Sequence, residues 1–72
     1  MQPREWLIEA RLKHGLTREQ AALKFRISEE LYTCLEIDDK FITHPHFADR
    51  IKRCFKISRA QCNSMVNIKH YI

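Results

Sequence analysis

The chain has 72 residues, with 13 Lys/Arg against 9 Asp/Glu for a formal charge of +4, one glycine, two prolines and three cysteines. That length makes one domain, whose core alone rarely contributes more than about 3–5 kcal/mol of net stability, so association with another molecule is open. The composition excludes a glycine-rich phosphate loop, a low-complexity linker, a signal peptide and a membrane span, and an odd number of irregularly spaced cysteines points to a reducing, cytoplasmic setting rather than a disulfide framework.

In chain order, Pro3 suits a first helical position and Gly15 a left-handed stop, which bounds a first helix at residues 3–14 with Leu7, Ala10 and Arg11 on one face. A second helix over 18–25 follows Thr17 and carries Ala21, Ala22 and Phe25 at helical spacing. A third, over 29–37, follows Ser28 and carries Leu31, Cys34 and Leu35. After the polar stretch Asp38-Asp39-Lys40, His44-Pro45 opens a fourth over 46–55, with Phe47, Ile51, Cys54 and Phe55 as its apolar stripe. A fifth, over 59–66, buries Cys62, Met65 and Val66 and leaves a short tail, 67–72.

The second, third and fifth helices begin on one pattern: Leu16-Thr17-Arg18-Glu19-Gln20-Ala21, Ile27-Ser28-Glu29-Glu30-Leu31-Tyr32 and Ile57-Ser58-Arg59-Ala60-Gln61-Cys62. In each, a hydroxyl residue can accept from the free N–H groups of the first turn, and the apolar residue before it can close a hydrophobic staple. Thr17 with Gln20, and Ser58 with Gln61, form capping boxes. Two of the starts are reached through near-identical corners, Phe25-Arg26-Ile27-Ser28 and Phe55-Lys56-Ile57-Ser58. Tight corners between short helices imply a compact all-α module.

Charge is distributed unevenly. Residues 1–40 hold seven Lys/Arg and eight Asp/Glu, whereas residues 41–72 hold six and one. A basic half suggests an anionic partner, most often nucleic acid; a solvated basic face is the plain alternative. His44, His46, Cys54 and Cys62 supply metal-binding atoms but not the spacing of a zinc unit, and the cysteines sit on apolar stripes as small hydrophobes, so neither a metal nor another cofactor is expected. No base is placed for a nucleophilic Cys34 and no substrate cleft is legible, so the chain does not read as an enzyme.

The run Gly15-Leu16-Thr17-Arg18-Glu19-Gln20-Ala21-Ala22, then Ile27-Ser28, then Leu35-Glu36, resembles the Cro and phage-repressor (XRE-type) helix-turn-helix family over about residues 7–66. The resemblance extends to Arg11 paired with Glu36, to Pro45 at a helix start and to Ala48-Asp49-Arg50-Ile51 within it. It implies a compact five-helix, lambda-repressor-like domain and a bacterial or phage transcription regulator that binds duplex DNA. On that reading Glu29, Glu30, Thr33 and Cys34 face the bases, Arg18, Arg26, Lys40 and Thr43 contact phosphates, and Arg11 with Glu36 forms a structural ion pair. A homodimer would use Trp6, Ile8, Met65, Ile68 and Tyr71.

Three departures shape what can be carried across. Arg26 stands where the family's turn usually has glycine, and Lys56 repeats this at the second corner, so either both corners take another turn or both bear a left-handed cation. Tyr32 is bulkier than the usual Ile or Val, which predicts either looser packing between the second and third helices or a displaced helix. Glu29 and Glu30 put two carboxylates where a polyanion would enter; a Glu can accept from cytosine N4, but acids in a first turn also favour the helix dipole by about 0.3–1 kcal/mol each. The competing reading is a protein-interaction module on the same fold, binding through the acidic helix or through the apolar first helix and tail.

Overall fold

The computed structural model describes residues 1–66 and is all-α: α1 (Glu5–Lys13), α2 (Arg18–Phe25), α3 (Glu29–Ile37), α4 (Pro45–Phe55) and α5 (Arg59–Asn63). Three starts are closed by the expected side chains. Thr17 and Ser58 each complete a capping box with Gln20 and Gln61, and Ser28 accepts from the Leu31 amide at 3.0 Å. At α4 the cap is His44, whose Nδ1 accepts from the His46 amide at 3.0 Å, with Pro45 as the first helical residue.

Two boundaries move for tertiary reasons. Pro3 lies outside α1 because Arg4 takes a non-helical conformation, φ −87° and ψ 80°, in which its amide donates to the Glu36 carbonyl at 2.6 Å. The fifth helix stops at Asn63 rather than running to 66, and the turn that follows drives Met65 fully into the core while its carbonyl accepts from the Thr43 amide at 2.7 Å. Residues 67–72, with Ile68 and Tyr71, lie outside the described residues.

The core joins Leu7 of α1, Ala21, Ala22 and Phe25 of α2, Tyr32 and Leu35 of α3, Ala48, Ile51 and Phe55 of α4, and Met65. Burying a side chain as large as Phe or Leu contributes about 1.5–3 kcal/mol, and the larger of these residues surround one aromatic centre. There Phe25 meets Phe55 edge to face at 4.9 Å and Tyr32 at 5.9 Å. The alanines of α2 let α3 approach closely enough to enclose Tyr32 completely, so its bulk fills the joint rather than loosening it.

The buried face of α3 also differs from the apolar spacing. Tyr32, Leu35 and Glu36 point inward, while Leu31 and Cys34 are half-buried. The face rotates because a carboxylate, given two guanidiniums to meet, can occupy a core position that hydrophobic periodicity assigns to solvent.

Candidate nucleic-acid interface

The joint between α2 and α3 is built around a left-handed residue. Arg26 sits at φ 58°, so the chain leaves α2 with the Arg26 amide on the Leu23 carbonyl at 3.2 Å and the Ile27 amide on the Ala22 carbonyl at 3.1 Å. Lys56 repeats the conformation at φ 55° after α4. The corners therefore keep the turn that glycine usually serves, with a side chain added at each. Arg50 of α4 secures the first from outside, donating Nη1 to the Phe25 carbonyl at 2.5 Å and placing Nη2 2.9 Å from His46 Nε2.

Behind α3, one carboxylate organises the scaffold. Glu36 is fully buried, accepts from Arg11 Nε at 2.6 Å and Nη2 at 3.3 Å, and also accepts from Arg18 Nε at 3.0 Å. Arg11 Nη1 reaches on to the Leu16 carbonyl at 2.9 Å, which ties α1 to the start of α2. Burial alone would raise the Glu36 pKa; the Arg11, Tyr32 and Arg18 side chains outweigh it and hold the carboxyl below its ordinary value of 4.5. The same contact raises the Arg11 pKa. The Tyr32 hydroxyl lies buried beside this carboxylate without a well-formed hydrogen bond of its own, and burial first, the carboxylate second, push its pKa up, so it keeps its proton.

A second cation, Arg4, had no signature in the sequence. Only 1 % exposed, it sends Nη1 to the Leu35 carbonyl at 2.6 Å and Nη2 to the carbonyls of Asp39 and Phe41 at 2.8 and 2.9 Å. It thereby satisfies the end of α3 and the segment beyond it, the carbonyls that a helix terminus leaves without partners. Burial lowers its pKa, with Asp39 and Asp38 opposing the shift. An exposed-looking Arg ahead of a helix signals none of this; only the orphaned carbonyls of α3 announce that some donor must arrive.

With its inner face locked, α3 presents the other outward. Glu29 and Glu30 are exposed, Thr33 and Cys34 half-buried, and the four line one shallow depression. Of the residues assigned to phosphates, Arg26 and Lys40 are exposed, whereas Arg18, at the head of α2, turns its Nε inward to Glu36 and leaves 40 % of its side chain accessible. Thr43 is half-buried and its amide is committed to Met65, so only its hydroxyl could meet a phosphate. Of the residues assigned to a dimer face, Met65 must be withdrawn: it is completely enclosed, with no surface to offer a partner. Trp6 is half-buried against the core, and Ile8 is half-buried.

Among the described residues no group of three or more His, Cys, Asp or Glu side chains comes together to hold a metal, the three cysteines are unpaired, and no helix is long and apolar enough to cross a membrane. Comparison with protein-family models, curated proteins and solved structures returns no match.

Proposed function

We propose that this domain is a non-enzymatic, sequence-specific duplex-DNA-binding regulator of transcription that reads the major groove with α3. The observation that carries the reading is the division of that helix: Tyr32, Leu35 and Glu36 are locked to the scaffold, and Glu29, Glu30, Thr33 and Cys34 stand together on the accessible side, lining a depression of their own. A groove-entering helix needs this arrangement, a rigid back and a free polar front. Arg26 at the N-terminal end of α3 and Lys40 beyond its C-terminal end supply accessible cations for phosphates, and Arg18 adds part of its guanidinium. Charge then sets affinity, and the acceptor-only carboxylates set preference toward bases that offer an amino group.

A second reading has its own support. Leu12 is 62 % exposed and lines, with Leu16, a depression where Arg11, Arg18, Glu19 and Glu29 supply both charge signs, a surface suited to a protein offering an apolar side chain. Titration with random-sequence duplex at low salt separates the two readings. Binding that weakens steeply with added salt and drops in Lys40→Ala is the outcome expected for the regulator, and selection from a random duplex pool should then enrich a defined site. No detectable affinity for duplex by the wild-type domain overturns the DNA reading and leaves the protein-binding one.

A further inference from the structure

The two left-handed cations form one feature. Arg26 directly follows Phe25, and Lys56 directly follows Phe55; the two rings touch at 4.9 Å, and His14, just beyond α1, stacks on Phe55 at 4.9 Å. The C-terminal ends of α1, α2 and α4 therefore meet at one aromatic cluster, and Arg26 and Lys56 each directly follow one of its rings. Both are exposed, and neither side chain has an ion-pair or hydrogen-bond partner among the described residues. Their backbones adopt a conformation in which glycine meets no side-chain penalty and other residues do, as Gly15 illustrates at φ 69° after α1. A cation near a helix C-terminus recovers part of that cost through the dipole, and so would a cation placed within the last turn at ordinary φ. Strain kept twice, at equivalent corners and each time under a free positive charge, points to a use for the side chain rather than for the turn.

We infer that Arg26 and Lys56 form a paired phosphate grip, which engages the backbone of the duplex beside the N-terminal end of α3. This rests on the DNA reading proposed above and extends its footprint to the corner that ends α4. Arg26 stands three residues before Glu29, the first residue of α3, and Lys56 follows the ring that packs against Phe25. Glycine at the two positions keeps the turn and removes the grip, which gives the experiment a built-in control for folding.

The test is the salt dependence of affinity for a random-sequence DNA duplex, measured for wild type, Arg26→Gly/Lys56→Gly and Arg26→Gln/Lys56→Gln. Each phosphate that the protein ceases to neutralise reduces the magnitude of the log K against log salt slope by about 0.9, so both double variants should fall short of the wild-type slope by about two, with affinity reduced roughly ten- to a hundredfold at about 0.1 M salt. The glycine variant should melt no earlier than wild type. Arg59→Gln, which removes an exposed cation at an unstrained helical position, should leave the slope within about half of one such step of wild type. Wild-type binding with an unchanged slope in both double variants overturns the grip and leaves DNA binding intact; an equal loss per charge in Arg59→Gln overturns it as generic electrostatics. Absence of wild-type binding overturns both proposals.

Discussion

The two corners of this molecule are nearly the same text with different outcomes. Phe25-Arg26-Ile27-Ser28 and Phe55-Lys56-Ile57-Ser58 both turn through a left-handed cation and both end in a serine that caps the next helix. The first launches nine helical residues with three buried; the second launches five with none. The difference lies at the far ends. Seven residues after Ser28 and Ser58 stand Leu35 and Met65, both fully enclosed, but the carbonyls around Leu35 are taken by Arg4 and the next residue, Glu36, is held by Arg11 and Arg18. After Ser58 the backbone is instead drawn away, with the Met65 carbonyl on the Thr43 amide. Corner chemistry starts a helix; tertiary partners decide how long it runs.

The two corners separate most sharply at the aromatic centre. Phe25→Ala should cost about 3–5 kcal/mol in chemical denaturation, with Phe55→Ala at the lower end of that range, because Phe25 is enclosed between the buried Tyr32 and Phe55, whereas the second ring partner of Phe55 is the exposed His14. Equal losses would mean that the two corners are anchored alike. Next in size is Glu36→Gln, which leaves Arg11, 12 % exposed, without its carboxylate and should cost about 3 kcal/mol.

The same residue gives a pH signature. Because the folded Glu36 carboxyl is held below its ordinary value of 4.5, its contribution is fully present above that pH and is lost as pH falls through the folded value. Denaturation midpoints of wild type and Glu36→Gln should therefore converge on acidification below 4.5; parallel curves would show that the carboxylate is not what holds α3. Smaller again are the caps. Ser28→Ala and Ser58→Ala should each cost about 1 kcal/mol of local helix stability, but only the former should carry through to global unfolding, since α5 has no fully buried residue and only Cys62 packed partly against the core. Hydrogen exchange in α5 resolves the second. Smallest, and opposite in sign, Arg26→Gly and Lys56→Gly should each raise stability by no more than about 1 kcal/mol in the same denaturation measurement.

Local signals were legible because they depend on near neighbours. Thr17, Ser28 and Ser58 declared three helix starts, and Gly15 a stop, since caps and turns act within about four residues. The pairing of Arg11 with Glu36 came from family resemblance, and no spacing rule spans 25 residues. Arg4, Arg18 and Arg50 escaped because a guanidinium can lie outward on a helix or reach several ångströms to a distant carbonyl, and sequence alone does not separate the two. On α3 the helical register separated the exposed Glu29 and Glu30 from the buried Leu35, while the inward face was shifted by a buried acid that a polarity pattern counts as solvated.

Arg4 ties the front of the chain to carbonyls 31, 35 and 37 positions away, while Met1, Gln2 and Pro3 before it are exposed. Cleavage within this segment therefore has graded consequences. A cut after Pro3 leaves the guanidinium in place but gives up the Gln2 carbonyl that accepts from the Asp39 amide at 2.7 Å, and a cut after Arg4 also uncovers the end of the helix proposed to enter DNA. In a nascent chain the same tether is not fully satisfied until residue 41 has emerged, so Arg4 finds its place only after the whole of α3 has been made.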